Sequence, residues 1–366
     1  MVDLRKSLSV AEPEISRHLD EMHACGQYIL GPQTREFERE FAAATGGVDA
    51  IGVGSGTAAI ELCLRDAGIA ATAESGAPCD VIVPGMTSMF TALAVVATGA
   101  RIRVADVSPD TLLLTPESVE RAWTPATRAV IAVHLYGQPC RLAELAALCQ
   151  ARGAVLIQDA CQAHGATSQG FALTHYSPYC AYSFYPTKNL GCLGDGGAIV
   201  TPDPEVAERL RQWRDGGRRG DQICRLAGMN SRLDELQACY LRGLLPLLAG
   251  GNSHRRRLAA RYRELLAPLP HLPAVGWDED SVHHLLVVRS GRRDALRAYL
   301  GEFGVQTGVH YPVAIHQQPG LLPYASWAEK PAHAAAAARE VLSLPMGPHV
   351  TEEQVDQIAA LLGAWA

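Results

Sequence analysis

Short apolar runs that are continuous rather than alternating, each followed by a helix-like stretch, dominate the chain from about Ala50 to Asp159. IGV (51–53) precedes AAIELCLRDAG, and VIVP (81–84) precedes TALAVVATG. RIRVAD (101–106), AVIAVH (129–134) and AVLIQD (154–159) follow, with PESVERAW and RLAELAALCQ between them. Strands buried on both faces read this way, so the pattern predicts a parallel sheet covered by helices on either side. Gly54, Asp106, His134 and Asp159 fall at the carboxyl ends of these runs, where open α/β sheets bind ligands.

Two further runs, YCAYSF (179–184) and GGAIVT (196–201), lead into helices expected around 204–214 and 230–248. Pro246 and the pair Gly250-Gly251 suggest a division into residues 1–249, an N-terminal segment with a large domain, and 250–366, a small α+β domain. The second part is expected to hold a helix through Leu265, a strand at 283–289, a helix from RRDALRAYLGEFG, and a last helix opened by Thr351 and Glu352. At 366 residues, a large domain plus a smaller one is the natural prior.

A net charge of −6 argues against a general binder of nucleic acid or anionic membranes. The ten cysteines contain no C-x-x-C pair, so neither a disulfide scaffold nor a metal site is expected; they read as small buried hydrophobes. MVDLRKSLSVAEPEI lacks an apolar signal core and no run is long enough to span a bilayer, so the expected location is the cytoplasm.

Three segments offer chemistry. GVGSGT (52–57) is a glycine-rich turn between a strand and a helix, with room for a phosphate at the free N–H groups around Gly56, Thr57 and Ala58. A dinucleotide turn would need glycine where Thr57 stands; an ordinary tight turn is the plain alternative. In LIQDACQAHG (156–165), Asp159 ends a buried strand and could pair with a protonated pyridine nitrogen, with Gln162 reaching the ring hydroxyl. It could equally cap the next helix. YSFYPTKNLGCLGDGG (182–197) holds Lys188, one of only three lysines in the chain, among Pro, Gly and Leu. That is a setting for a Schiff-base lysine that must be shielded from water and shuttle protons.

The Lys188 segment closely resembles the DegT/DnrJ/EryC1/StrS family of sugar aminotransferases, pyridoxal-phosphate (PLP) enzymes of fold type I. YILGPQTREFEREFA (28–42), GSGTAAIEL, VHLYGQP (133–139), IQDACQAHGA, GMNSRLDELQA (228–238), HYPVAIHQQPG (310–320) and LSLPMGPHVTEEQVDQI (342–358) extend the resemblance over nearly the whole chain, in the same order, toward the branch acting on nucleotide-linked keto-sugars. The resemblance implies a mixed, mostly parallel sheet of the seven-stranded type. It implies transamination from an amino acid, by family habit glutamate, through pyridoxamine phosphate to a keto-sugar. Lys188 would carry PLP and act as acid and base, Asp159 would hold the pyridine nitrogen and Gln162 the ring hydroxyl. Gly56, Thr57, Ala58 and Ser183 would bind the phosphate. Asn230 would reach it from the neighbouring subunit of a homodimer, and Tyr185, Arg218, His310, Tyr311 and His316 would lie toward the substrate.

Three departures stand out. Ser88 occupies the cofactor-facing position where the family usually has an aromatic residue, with Met86, Met89 and Phe90 as possible substitutes. Gln158 stands where an acid commonly precedes Asp159, and 211–228 lacks the expected aromatic and His pattern. A cyclitol aminotransferase and a non-catalytic PLP-binding regulator are the competing readings. A PLP-dependent dehydratase of the same fold carries His at the lysine position, which Lys188 argues against.

Overall fold

A computed structural model describes residues 4–69, 79–276 and 278–365. The main sheet has eight strands: β1 (Asp49–Val53), β2 (Asp80–Pro84), β3 (Arg101–Ala105), β4 (Thr127–Val133), β5 (Val155–Asp159), β8 (Cys180–Ser183), β9 (Gly197–Thr201) and β11 (Ala325–Ser326). Two short strands, β6 (Thr167–Ser168) and β7 (Phe171–Ala172), form a separate hairpin. In the main sheet the order is β1-β9-β8-β5-β4-β2-β3-β11; β9 runs antiparallel to both its neighbours and every other pairing is parallel. Seven strands come from residues 49–201, as the apolar runs predict. The eighth, β11, is a two-residue addition at the edge, pairing Ala325 and Ser326 with Ile102 and Arg103. So short a strand carries no periodicity, which is why the sequence did not announce it.

The strands are apolar throughout because both faces are covered: all five residues of β2 are buried, and so are the last four of β5. Helices α3 (Gly56–Asp66), α4 (Met89–Ala97), α5 (Pro116–Ala122), α6 (Leu142–Ala151) and α7 (Pro204–Arg214) flank them. Thr115 opens α5 with a capping box closed by Ser118. An edge-to-face aromatic nest of Phe37, Phe41, Tyr182 and Phe184 sits between the sheet and α2 (Pro32–Thr45).

Two helices outside the predicted set, α2 and the N-terminal helix, both pack on the helix expected over 230–248 and so bring distant segments together. In α8 (Glu235–Leu244), the Glu235 carboxylate is fully buried and accepts the N–H groups of Gln33 and Thr34, both at 2.8 Å. It thereby satisfies orphan donors at the positive end of α2. The long N-terminal helix α1 (Leu4–Cys25) packs along α8. The helix expected over 230–248 begins only at Glu235, because Ser231 is taken up by the Gly54 N–H after β1 and by the Arg214 carbonyl at the end of α7.

The C-terminal part holds α9 (Leu248–Leu266), β10 (Leu286–Arg289), α10 (Arg293–Glu302), α11 (Ala332–Glu340), β12 (Val341–Leu344) and α12 (Glu352–Ala364). β10 and β12 pair antiparallel, and around them Leu258, Tyr262, Leu296, Leu300, Val355 and Leu362 form a second apolar core. Thr351 caps α12 in a box with Gln354, as its sequence suggests. Gly250 and Gly251 lie inside α9, so the chain crosses this point as helix. The strand expected over 283–289 starts at Leu286. His283 adopts a positive φ of 42°, and Arg255 takes the carbonyls of His283 and His284, removing them from any ladder.

Candidate active site

The site is built where the carboxyl ends of β5 and β8 meet the start of α3. Ser55 caps α3 by accepting the Ala58 N–H at 3.1 Å, which leaves the N–H groups of Gly56 and Thr57 without a partner in the helix. Gly56 is required by contact: a Cβ there would lie 2.7 Å from both Ser183 Cβ and Cys161 Sγ. The positive end of α3 is thus pressed against Ser183. Of the three turn residues expected to offer N–H groups, Gly56 and Thr57 do, and Ala58 spends its own on the cap.

Asp159 is buried at the end of β5. Its Oδ2 accepts from the Thr91 hydroxyl at 2.8 Å and its Oδ1 from the Cys161 N–H at 3.2 Å. The second bond is the local capping role weighed from sequence; the first aims the carboxylate into the site. No basic side chain is ion-paired with it among the described residues, so a buried acid is held by neutral donors alone.

Gln162 accepts the Tyr136 N–H at 2.7 Å and donates to the Tyr311 hydroxyl at 3.0 Å. The Ser88 side chain reaches the same hydroxyl, and burial pushes the Tyr311 phenol up to about 12. Tyr136, itself at a positive φ of 61°, donates through its own hydroxyl to the His310 carbonyl. Met86, by contrast, is wholly buried in the core, and Met89 and Phe90 are exposed on α4. Tyr311, rather than any of these, is the aromatic ring adjoining Ser88 and Gln162.

Lys188 lies in the turn that follows β8, where its N–H bonds the Tyr185 carbonyl at 2.9 Å. A Cβ at Gly191 would sit 2.5 Å from the Pro186 carbonyl oxygen, so only glycine closes this turn. Burial pulls the Lys188 pKa below the ordinary lysine range, opposed by Cys161 and Asp159. The next residue anchors the turn: Asn189 donates to Asn252 Oδ1 (3.0 Å) and the Val282 carbonyl (3.2 Å), while His284 Nδ1 lies 3.0 Å from its Oδ1. Asn252 in turn donates to the His164 carbonyl at 2.8 Å. A carbonyl and a carboxamide oxygen cannot donate, so Nε2–H of His164 faces the Ser183 carbonyl (2.9 Å) and Nδ1–H of His284 faces Asn189.

A profile of the DegT/DnrJ/EryC1/StrS aminotransferase family matches residues 10–363. The chain belongs to this family. It is 42% identical over 367 residues to the dTDP-3-amino-3,4,6-trideoxy-alpha-D-glucose transaminase of Streptomyces venezuelae, covering 100% of this chain and 95% of that protein. It is 40% identical over 370 residues to the erythromycin biosynthesis sensory transduction protein EryC1 of Saccharopolyspora erythraea, covering 100% and 99%. The crystal structure of S. venezuelae DesV in complex with a ketimine intermediate superposes with a TM-score of 0.93 at 42% identity, covering 99% of this chain and 97% of that one.

Within this aminotransferase, the remaining candidates are dispersed. Tyr185 is exposed beside Lys188. His310 holds Ser343 Oγ through Nδ1 at 2.8 Å. His316 is 4% exposed beside Trp327, inside the fold rather than at an open mouth, and neither ring nitrogen has a partner among the described residues. Arg218 is ion-paired to Asp215 at 2.6 Å, and Arg232 shares that carboxylate. Arg209 and Arg211 pair with Asp66 and Asp49, and Arg214 is buried against Glu38. Arg209 and Arg211 thus lie on an ion-paired face of α7. Asn230 is exposed, with no side-chain bond among the described residues; it precedes Ser231, whose Oγ accepts the Gly54 N–H.

Two of the strand-end polar residues serve the scaffold instead. Asp106 caps α11 through the N–H groups of His333 and Ala334. His134 accepts the Cys140 N–H on Nδ1 and donates from Nε2 to Gln158 Oε1, whose amide nitrogen donates to the Leu173 carbonyl. Gln158 therefore points away from Asp159, toward His134. Burial drops the His134 pKa from the ordinary 6.5 to about 4.

The unfolded chain takes up this proton first. Stability is therefore full above pH 6.5 and falls as pH drops toward about 4, by up to about 1.4 kcal/mol per pH unit for this residue. Gln158→Glu should place a carboxylate on His134 Nε2, hold the imidazolium and flatten that slope. It should also lower stability at pH 8, where the Leu173 carbonyl loses its donor. Urea denaturation at pH 8, 6.5 and 5 reads both effects; an unchanged slope would rule out His134 as its source.

Sequence reasoning missed Thr91, His164, Asn189, Asn252 and His284. None carries a motif of its own, and each acquires its role only through contacts 60 or more residues away in sequence, except His164 and Ser183, which lie 19 apart.

Proposed function

We propose that the protein is a PLP-dependent aminotransferase that moves an amino group from an amino acid, glutamate by the family's habit, to a nucleotide-linked keto-sugar in amino-sugar biosynthesis. One observation carries the reading: an amine with a lowered pKa, Lys188, faces a buried carboxylate, Asp159, beside the unpartnered N-terminus of α3 and the Ser183 hydroxyl. That donor set fits an aldehyde to be held covalently, a ring nitrogen to be kept protonated and a phosphate to be bound. The name of the S. venezuelae relative, a transaminase of a dTDP-linked amino sugar, supports the sugar side.

Lys188 would hold the cofactor through Nζ, Asp159 would face its ring nitrogen, Gln162 and Tyr311 would adjoin its hydroxyl, and Gly56, Thr57 and Ser183 would bind its phosphate. When bound, PLP supplies an electron-withdrawing ring conjugated to the nitrogen under transfer. Asp159, oriented by Thr91, keeps a proton on that ring. Lys188 Nζ, neutral more readily than an ordinary lysine, takes the α-proton of the amino donor. In the second half it donates a proton to the sugar carbon that receives nitrogen. Tyr185, His310 and Tyr311 lie toward the sugar, and residues 1–249 would form the catalytic domain, with 250–366 closing over it. The setting is the cytoplasm; among the described residues no helix is long and apolar enough to cross a membrane.

Amino transfer from glutamate to a panel of nucleotide keto-sugars and keto-cyclitols, with product identification, is the direct test. Transfer to cyclitols alone would move the substrate to that class. No transfer, with cofactor bound and Lys188 attached, would favour the regulator reading that the name of the S. erythraea relative suggests.

We also propose a homodimer with shared sites. Asn230, exposed and unbonded, would donate to the phosphate of a second copy. Asn230→Ala should weaken cofactor binding by about 1–3 kcal/mol, the cost of an unmade bond to a charged group. Mixing Lys188→Ala with Asn230→Ala subunits should restore activity, because one heterodimer site is then intact. If Asn230 acted on its own chain's cofactor, or the protein were an active monomer, mixing would restore nothing.

A further inference from the structure

A cavity of about 490 Å³ opens beside the Lys188 turn, between that turn, the start of α1 and the first turns of α9. Leucine is the commonest residue in its walls, with Leu190, Leu193, Leu247 and Leu248 among them, and no Asp or Glu among the described residues lines it. Yet two cations do: Lys188 and Arg255.

Arg255 is 3% exposed and has no carboxylate partner among the described residues. Its Nη1 donates to the carbonyls of His283 and His284, at 3.2 and 3.1 Å; Nε and Nη2 make no hydrogen bond with the described residues. Burial alone brings its pKa down to about 10. A guanidinium without a counter-ion in such a place is costly, and it keeps two parallel donors in reserve for a planar anion.

We propose that this cavity is the subsite for an acidic amino donor, with the side-chain carboxylate taken by Nε and Nη2 of Arg255 and the amino-bearing carbon directed to the Lys188 end. The proposal rests on the aminotransferase reading and adds the residue that selects the donor. Room for the ligand comes from Gly250 and Gly251: a Cβ at the first meets nothing within 4 Å, and at the second only Pro348 Cγ at 3.8 Å.

The test uses glutarate, a five-carbon dicarboxylate that cannot react, titrated calorimetrically into the holoenzyme, with butyrate as the single-carboxylate control. Glutarate should bind at least tenfold more tightly than butyrate. Arg255→Met should weaken glutarate at least tenfold, and Arg255→Lys, which keeps charge but loses the fork, by less. Since Arg255 also clamps 283–284, Gly251→Asp provides a variant that leaves the clamp intact and sets a carboxylate in the cavity. It should abolish glutarate binding without lowering the melting temperature. In the first half-reaction, followed by cofactor absorbance, both variants should raise the KM for glutamate at least tenfold and leave that for alanine within twofold. Unchanged glutarate affinity in Arg255→Met and Gly251→Asp would overturn the proposal. So would Gly251→Asp dissociating a wild-type oligomer that never bound glutarate, because the cavity would then be an interface between copies. Failure of the aminotransferase reading looks different: glutarate binds, and no amino acid alters the cofactor spectrum.

Discussion

Lys188→Ala should abolish transamination, with a loss on the order of 10⁴-fold or more, since one side chain supplies both the covalent attachment and the proton shuttle. The wild-type protein should be yellow, and borohydride should fix the cofactor to the peptide containing Lys188. The variant should bind the cofactor without that link, because Asp159, Gln162, Ser183 and the start of α3 remain in place. Its fold should persist: the turn is anchored by Asn189 through three hydrogen bonds, none of which involves the lysine side chain. Lys188→Arg should be equally inactive, because a guanidinium cannot give up its proton at working pH. A small primary amine added to Lys188→Ala should return a fraction of the proton-transfer rate. A fully active Lys188→Ala enzyme would sink the mechanism.

Asp159→Asn should lose most of the activity, roughly 10²–10³-fold, while leaving the protein folded. The amide can still accept the Cys161 N–H, and its NH₂ can donate to Thr91 Oγ1. What it cannot do is stabilise a proton on the ring nitrogen, so the bound cofactor is a poorer electron sink in both half-reactions. Thermal denaturation should be close to that of the wild type, and stopped-flow absorbance of each half-reaction should show the loss in both. Near-normal rates would reduce Asp159 to the cap of its own turn, the role its Oδ1 already performs.

The sheet, and the residues that come together in the candidate site at its carboxyl edge, could be read from the amino-acid order alone. Continuous apolar runs at 81–84, 129–134 and 154–159 can be buried on both faces only in a covered parallel sheet, and β2, β4 and β5 form there. Asp159, Ser183 and the Gly56 turn were legible because each sits at the end of such a run, where chain direction alone places it at the carboxyl edge. Lys188 stood out because lysine is scarce and its neighbours are small.

Tertiary structure decided the rest, wherever a role depends on a partner far away in the chain. Nothing local distinguishes the Thr91 that aims Asp159 from Thr98, which bonds its own helix. Asp106 and Asp159 look alike as strand ends, yet one caps α11 from 228 residues away and the other faces Lys188. Arg218 was expected toward the substrate, and Arg255 was one arginine of the run 255–257. Packing gave the first an aspartate three residues before it and buried the second with no acid beside it among the described residues. Ion pairing and burial are properties of the assembled fold, so a charge's function is fixed only when the fold chooses its neighbours.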